Sequence, residues 1–149
     1  MKKKYGLVIG LLLTTCATHA QSRSECAVSA PSGWVAAALR WDGDCSAGHA
    51  DGLGVLKELD GKGIKRLFFG QLAHGELQLG VIDQPDGYVA GRFEHGSAVP
   101  SGDRQTMISA FKQAAAAADA VAQRFGKAGN KASSQFYAAK AKALREQVD

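Results

Sequence analysis

The sequence predicts an α+β protein in which an antiparallel meander of β-hairpins is followed by one or two Ala-rich helices. A short pattern, Gly-x-apolar-x-x-Gly, occurs three times, and its leading glycines lie 27 and 21 residues apart, within the range of periods typical of stacked repeats. After Pro100 the composition changes to an Ala-rich stretch without proline. We therefore divide the chain into four parts: a targeting segment (1–20), an N-terminal segment tied by a disulfide (21–39), hairpin repeats (40–100) and a helical segment (101–149).

The first part has the features of a bacterial signal peptide. A positive region at Lys2–Lys4 precedes a short apolar core at Gly6–Leu13, and small residues lead up to Ala20, where we expect cleavage. The apolar run is too short to cross a bilayer. A periplasmic or secreted location is thus predicted. Lipidation of Cys16 is a less favoured alternative, because Thr15 stands where Gly, Ala or Ser normally precedes a lipidated cysteine.

Cleavage changes the charge of the chain, since it removes three lysines and no acids, and the net charge falls from +4 to +1. The remainder is asymmetric: residues 21–100 carry 7 Lys/Arg against 10 Asp/Glu, whereas residues 101–149 carry 8 against 4. A weakly basic helical tail is typical of a solvated face. Because no track of Arg and aromatic side chains accompanies it, nucleic acid is not a predicted partner.

The mature chain keeps two cysteines, Cys26 and Cys45. In an oxidising compartment they indicate one disulfide rather than two separate buried thiols. Closing a loop of about 20 residues stabilises a fold by about 3 kcal/mol in the chain-entropy model. Cys45 occupies the apolar position of the first repeat, so we expect the bridge to hold the N-terminal segment against the inward face of the sheet.

Each repeat is predicted to form a β-hairpin, because side chains alternate between the two faces of a strand. On this basis Trp41, Phe68 and Val89 stand at equivalent positions, each two residues before a leading glycine. A second glycine five residues after the first marks the turn, where we expect a type I turn closed by a left-handed residue. The leading glycines are Gly43, Gly70 and Gly91, and the structural turn glycines are Gly48, Gly75 and Gly96.

Return strands are expected at 49–56 and 76–82, and Pro100 cuts the third one short. Between hairpins the chain turns at 60–63 and at 84–87, the latter a Pro-Asp-Gly turn. A leading glycine has no Cβ, so a neighbouring hairpin or an aromatic ring can approach the backbone closely there. For one candidate the pattern does not decide which face of the sheet it occupies, because this residue stands one position before those equivalent to Trp41 and Phe68. The candidates for the apolar face are Trp41, Phe68, Leu72, Phe93 and this out-of-phase residue, Tyr88.

These residues resemble the MORN (membrane occupation and recognition nexus) repeats, whose pattern is aromatic-x-Gly-x-aromatic/apolar-x-x-Gly-x-x-x-Gly-x-Gly. Residues 41–54 match nearly throughout. The second copy has Leu79 and Val81 where the late glycines belong, and the third has Val89 at the aromatic position and then stops. The resemblance covers about residues 40–97. It implies an elongated, curved sheet of successive hairpins that serves protein contact and, in some members of the family, contact with lipid surfaces.

The C-terminal third predicts two helices separated near residues 126–130, with Asp103 as the N-cap of the first. The apolar face is mostly alanine, so packing against another helix or against the sheet is favoured over attachment to a membrane. The apolar residues that recur at helical spacing are Met107, Phe111, Ala114, Ala118, Val121 and Phe125, then Phe136 or Tyr137, Ala141, Leu144 and Val148.

Motifs for catalysis are missing from the mature sequence, which has no nucleophile elbow, phosphate-cradling loop or His-Glu-x-x-His helix, and no enzyme is predicted. His74 and His95 share one repeat position directly before a turn glycine, and we interpret them as polar turn residues rather than metal ligands. Asp42, Asp44 and Asp51 lack the spacing of a calcium loop and are interpreted as solvated. We expect neither a metal nor another cofactor.

The leading hypothesis is an exported, non-enzymatic binding or scaffold module of MORN type that holds a protein or peptide partner on its aromatic sheet face. The predicted contacts are Trp41, Phe68, Tyr88 and Phe93, since rigid aromatic side chains act as interface anchors. In an alternative reading the C-terminal helix of the chain itself fills that face, which makes the aromatic residues core. A second hypothesis is an envelope-associated structural protein that contacts lipid through the basic helical tail or a lipidated Cys16.

Overall fold

The computed structural model describes residues 26–149, so the expected signal peptide and Cys16 lie outside the described part. Within residues 26–149, six strands form one open antiparallel sheet in which each strand lies beside its sequence neighbour, and two helices follow. The predicted α+β meander with C-terminal helices is confirmed. The elements are β1 (Leu39–Ser46), β2 (His49–Asp60), β3 (Gly63–Ala73), β4 (Glu76–Gln84), β5 (Gly87–Glu94), β6 (Ser97–Ala98), α1 (Arg104–Lys127) and α2 (Lys131–Arg145).

The three repeats form hairpins with two-residue turns at the predicted glycines. Ala47-Gly48, His74-Gly75 and His95-Gly96 all have positive φ at both residues, for example 52° at His74 and 80° at Gly75. Two successive positive φ values define a type I′ turn, whose twist matches that of the flanking strands. The expected type I turn closed by a left-handed residue is therefore wrong in type, although its position is confirmed. The third return strand, β6, has two residues, as Pro100 predicted.

A row of glycines crosses the sheet at one level. Gly54 on β2 lies opposite Gly70 on β3, Gly70 lies opposite Gly80 on β4, and Gly80 lies opposite Gly91 on β5. All four are buried. The row leaves a band without side chains on one face of the sheet, next to a band of large apolar residues.

Two aromatic rings of the neighbouring band lie over the glycines. A Cβ at Gly43 would overlap the Trp41 ring, and a Cβ at Gly70 would stand 2.7 Å from the Phe68 ring. The close approach predicted for the leading glycines is confirmed at these two positions. At Gly91 no described atom lies within 4 Å of a Cβ, so the same prediction is wrong there.

The two faces of the sheet carry separate cores. We call the face of Trp41, Phe68 and Phe93 the aromatic face. The opposite face is covered by α1, which packs across β2 to β5, and by α2, whose Tyr137 ring packs on that of Phe69. The alternative in which a C-terminal helix fills the aromatic face is thus wrong. The buried residues of the aromatic face are Trp34, Ala50, Leu56, Phe68, Leu72, Leu77, Ile82 and Phe93, and those of the helix face include Val55, Leu67, Phe69, Val81, Phe111 and Leu144.

The helices begin and pack as their sequence indicates. Asp103 caps α1, since its carboxylate accepts hydrogen bonds from the amides of Gln105 and Thr106. On α2 the buried aromatic residue is Tyr137, whereas Phe136 is exposed. In the described part of the chain, neither helix has the length and hydropathy that crossing a membrane requires.

An N-terminal segment, residues 26–35, lies across the tips of the three hairpins, and we call it the strap. Trp34 is buried in the core of the aromatic face, and Cys26 and Val28 pack against that core. The strap therefore covers the face that the helices leave open. Each turn glycine accepts one 2.8 Å hydrogen bond from it: Gly48 from the amide of Ala27, Gly75 from that of Ser29 and Gly96 from that of Ser32.

Candidate functional site

The structure does not bring the four predicted contact residues into one open surface. Phe68 and Phe93 share the aromatic face and pack edge to face with ring centroids 5.4 Å apart, but they are 0% and 4% exposed. Tyr88 points to the opposite face, where its ring packs edge to face on Phe111 at 5.7 Å. The face of Tyr88, which the sequence left open, is thus the one opposite Trp41, Phe68 and Phe93, because Tyr88 falls on the other phase of β5. Trp41 is the member that stays partly exposed on the aromatic face.

An open groove of about 970 Å³ lies beside Trp41 and follows β1. This volume lies within the range of ligand-binding clefts. One wall is formed by Trp41 and the first residues of the strap, and the other by the end of α1. The lining residues are Cys26, Ala27, Val28, Ala36, Leu39, Arg40, Trp41, Asp42, Gly43, Lys57, Arg124, Phe125 and Ala128.

The edge of the sheet runs through this groove. In the part of the chain that the structure describes, β1 pairs with β2 alone, and its other side is the outer edge of the sheet. The pairing of β1 with β2 shifts between Asp42 and Asp44, where the single residue Gly43 lies opposite residues 52–54, so β2 forms a β-bulge facing Gly43. The Trp41 indole Nε1 donates a 2.9 Å hydrogen bond to the Asp44 carbonyl, across Gly43. The bulge and this hydrogen bond fix the ring of Trp41 at the groove.

Lys57 and Arg124, on the helix side of the groove, form ion pairs. Lys57 Nζ lies 2.6 Å from the buried Asp42 Oδ2. The ammonium is not aligned to donate a hydrogen bond, so it stabilises this oxygen through its charge. Arg124 forms a 2.7 Å ion pair with Asp44. Burial, with a smaller contribution from the charge of Asp42, raises the pKa of Tyr137, which therefore stays a neutral phenol. Asp42 was expected to be solvated and is instead partly buried and ion-paired, whereas Asp44 is exposed as expected and forms its ion pair at the surface.

A buried ion pair anchors the far end of the strap. Arg66 donates hydrogen bonds to both carboxylate oxygens of Glu58 and a 2.8 Å hydrogen bond to the Gly33 carbonyl, and its guanidinium lies 5.0 Å from the centroid of the Trp34 ring. The Val35 amide donates to Glu58 Oε1 at 2.9 Å. The hydrogen bond from Arg66 holds the pKa of Glu58 below its ordinary value of 4.5, against the opposing effect of burial. Sequence reasoning missed this pair.

The disulfide holds the first residue of the strap, Cys26. Cys26 and Cys45 are bonded, with 5.7 Å between their Cα atoms, which confirms the predicted pairing. A disulfide fits an oxidising compartment. The strap is thus held covalently beside the groove and by the buried ion pair at its other end.

The histidines of the turns take no part in the groove. His74 and His95 both occupy the first position of a type I′ turn, where His is tolerated better than most residues in the left-handed region. The Asp51 carboxylate accepts a hydrogen bond from the His74 amide at 3.3 Å. Among residues 26–149, no three His, Cys, Asp or Glu side chains lie close enough to hold a metal ion.

Comparison of the chain with protein-family models, with curated proteins and with solved structures gives no match. The resemblance of about residues 40–97 to MORN repeats stays a prediction. Fold and site together define an α+β hairpin meander with a strapped aromatic face and a groove along one edge strand.

Proposed function

We propose that the protein is an exported, non-enzymatic binding module that holds an extended segment of a protein partner in the groove along β1. The observation that carries this proposal is the groove itself, which combines a fixed aromatic ring, Trp41, with the outer edge of a strand. The resemblance to MORN repeats favours protein contact as well, and the Cys26–Cys45 disulfide fits export.

Trp41 is the expected anchor of the partner. Its ring lies over Gly43 and Gly54, and its indole is hydrogen-bonded to the Asp44 carbonyl, so it loses little conformational freedom on binding. Tryptophan is among the residues that contribute most to interface affinity. Phe68 and Phe93, the other two aromatic residues of this face, are buried and offer the partner no surface.

An extended partner segment fits the shape of the site. The outer edge of β1 presents backbone donors and acceptors, and a peptide strand added to a sheet edge uses such groups for affinity and side-chain pockets for specificity. The bulge facing Gly43 interrupts a regular ladder, so the added strand is expected to be short. Arg40 and Arg124 line the groove on the helix side, where they can orient the partner.

Selection of peptides against the protein tests this proposal. A library of twelve-residue peptides displayed on phage is panned against biotinylated residues 21–149, and a selected peptide becomes the binding probe. We expect Trp41→Ala to weaken binding about tenfold or more, because a buried aromatic anchor contributes at least that much. Arg124→Glu is a second variant. Because the Arg124 side chain is half exposed, we expect this substitution to leave the fold intact.

Ile64→Ala is the matched control, because Ile64 is an exposed apolar residue outside the groove. It should bind the selected peptide with the affinity of the wild type. Equal affinity in Trp41→Ala, Arg124→Glu and the control would mean that the groove is not the partner site. Circular dichroism verifies that each variant retains its fold.

A second candidate function, contact with lipid in the envelope, is supported by one small patch. The apolar stripes of α1 and α2 pack on the sheet, but Phe136 and Ile64 are 40% and 46% exposed and line one shallow depression with Lys65 and Lys140. Apolar side chains flanked by lysines are typical of surfaces that contact anionic lipid. Flotation of residues 21–149 with phosphatidylglycerol vesicles tests this candidate, and binding that persists in Phe136→Ser/Ile64→Ser would rule it out.

A further inference from the structure

The tips of the three hairpins form a docking row for an extended chain. The strap is seated on this row by backbone atoms: the amides of Ala27, Ser29 and Ser32 donate to the three turn glycines, and the Ala50 amide donates to the Ala27 carbonyl at 3.0 Å. The residues that make contact are two and three positions apart, a spacing that suits an extended segment. Recognition by the row is thus largely independent of side-chain identity.

Two of the turn glycines are shaped to receive the strap. A Cβ at Gly75 would stand 2.7 Å from the Ala27 carbonyl oxygen, and a Cβ at Gly96 would stand 3.0 Å from that of Ala30. Glycine at these positions serves the turn through its positive φ and also lets a second backbone approach closely. The segment on the row must therefore lie flat against the tips.

The two halves of the strap are held by different chemistry. In the second half Pro31 and Trp34 are buried, and Trp34 lies against the Glu58–Arg66 ion pair. In the first half the side chains of Ala27 and Ser29 are exposed. Of residues 26–29, only Val28 and the bonded Cys26 pack, partly buried, against the core, so the first half depends mainly on the disulfide and on the backbone hydrogen bonds.

We propose that reduction of the Cys26–Cys45 disulfide releases residues 26–29 and opens the first two hairpin tips to an extended segment of a protein partner. A dithiol reductant supplies two electrons and two protons, the disulfide becomes two thiols, and the reductant is converted to its own disulfide. Release exposes the carbonyl oxygens of Gly48 and Gly75 and the amide of Ala50. These groups then seek new hydrogen-bond partners, which an incoming backbone supplies.

The incoming segment has a defined chemistry. It must be extended, with free backbone amides two positions apart, and its backbone must lie close against Gly75, where a Cβ would stand 2.7 Å from the Ala27 carbonyl oxygen. The second half of the strap stays in place and closes the row at Gly96. Residues 26–28 also form part of one wall of the groove, but the docking row lies at the hairpin tips, so the inference does not require the groove to be a partner site.

Hydrogen exchange of residues 21–149 before and after reduction tests the release step. We expect the amides of Ala27, Ser29 and Ala50 to exchange about tenfold faster or more in the reduced protein, because local opening governs their exchange. The Ser32 amide should keep its rate. Unchanged rates at Ala27 and Ser29 would overturn the proposal.

A peptide probe tests the docking step in the full chain. The variant Cys26→Ser/Ala27→Pro/Ser29→Pro cannot donate from its own strap to Gly48 or Gly75, because proline has no amide hydrogen. The probe is a labelled peptide with the sequence of residues 26–32 and serine in place of Cys26. We expect it to bind this variant at least about tenfold more tightly than it binds the oxidised wild type, whose tips are occupied.

A control peptide carries proline at the positions of Ala27 and Ser29. Equal binding of both peptides, or binding of neither, contradicts a backbone docking row. Size-exclusion chromatography of the reduced wild type distinguishes another occupant. A concentration-dependent dimer would show that a second copy of the strap fills the row, and would overturn the assignment to a different partner.

Discussion

Glu58 and Arg66 form an ion pair on the aromatic face, in which the carboxylate is 1% exposed and accepts hydrogen bonds at both oxygens. The pair joins β2 to β3 and at the same time holds the strap, through the Gly33 carbonyl and the Val35 amide. A charge buried this deeply is tolerated because its partner and its hydrogen bonds are complete. The stability of the strap therefore depends on both members.

Arg66→Ala is expected to lower the free energy of unfolding by about 3–5 kcal/mol, because it leaves the Glu58 carboxylate buried without its partner. Urea unfolding followed by circular dichroism measures the change. Lys65→Ala, at the exposed neighbouring residue, is the control and should stay within about 0.5 kcal/mol of the wild type. The double variant Glu58→Met/Arg66→Met should recover most of the loss, since both charges are then absent. A double variant as unstable as Arg66→Ala would contradict this account.

Acid is expected to destabilise the protein in part through Glu58. Its pKa is lower in the folded protein than its ordinary value of 4.5, so its contribution is complete above that value and is lost as the pH falls through the folded pKa. The measurement is the urea midpoint from about pH 6 to about pH 2.5. Glu58→Gln should be less stable than the wild type at pH 6, and its midpoint should fall less steeply in acid. Parallel curves would exclude Glu58 as a source of acid sensitivity.

Removal of the disulfide is expected to lower stability by about 3 kcal/mol, because it restores the freedom of a closed loop in the unfolded chain. Cys26→Ser, Cys45→Ser and the double variant should lose the same amount, since each breaks the same bond. Urea unfolding without reductant gives the three values. Additive losses in the double variant would indicate that the two positions act independently.

Gly80→Ala is expected to cost about 3 kcal/mol, because the new methyl group would overlap the Phe69 carbonyl and stand 2.7 Å from the Phe68 ring. Gly61→Ala is the matched control: Gly61 lies in the β2–β3 turn, and no described atom approaches the position of its Cβ within 4 Å. Thermal unfolding of both variants provides the comparison. Equal midpoints would contradict the tight fit of the glycine row.

The hairpins could be predicted from sequence because each is a local structure whose turn demands glycine. Gly48, Gly75 and Gly96 mark turns that the structure places at those residues, and the turns set the register of the strands. The role of Asp103 as an N-cap could also be predicted, since capping depends on residues within one turn of the helix.

The position of Gly80 was not predicted, because β-bulges change the number of residues between equivalent positions of the repeats. Counted from the first repeat, the late glycines of the second belong at residues 79 and 81, whereas the structure places Gly80 in the row, opposite Gly70. The β1–β2 pairing shifts between Asp42 and Asp44, and the β3–β4 pairing shifts after Gln71. The same level of the sheet is thus reached after different numbers of residues, which a pattern of fixed spacing cannot follow.

The sequence pattern also did not predict which segment covers the aromatic face. Leu67, Phe68 and Phe69 are consecutive and buried, so β3 has apolar residues on both faces and does not indicate which face receives the helices. The strap attaches to the tips through backbone groups, which leave no signature in side-chain identity. Glu58 did leave a signal, because it follows Leu56 by two residues and so takes the inward phase of β2.

One strap amide donates to each turn glycine, from residues 27, 29 and 32, and this links the length of the strap to the number of repeats. A chain that acquired a fourth hairpin by duplication would need about two or three further residues before β1 to reach the new tip. The length of the strap thus limits how many hairpin tips it can cap. A sheet with an added hairpin and an unchanged strap would have one uncapped tip.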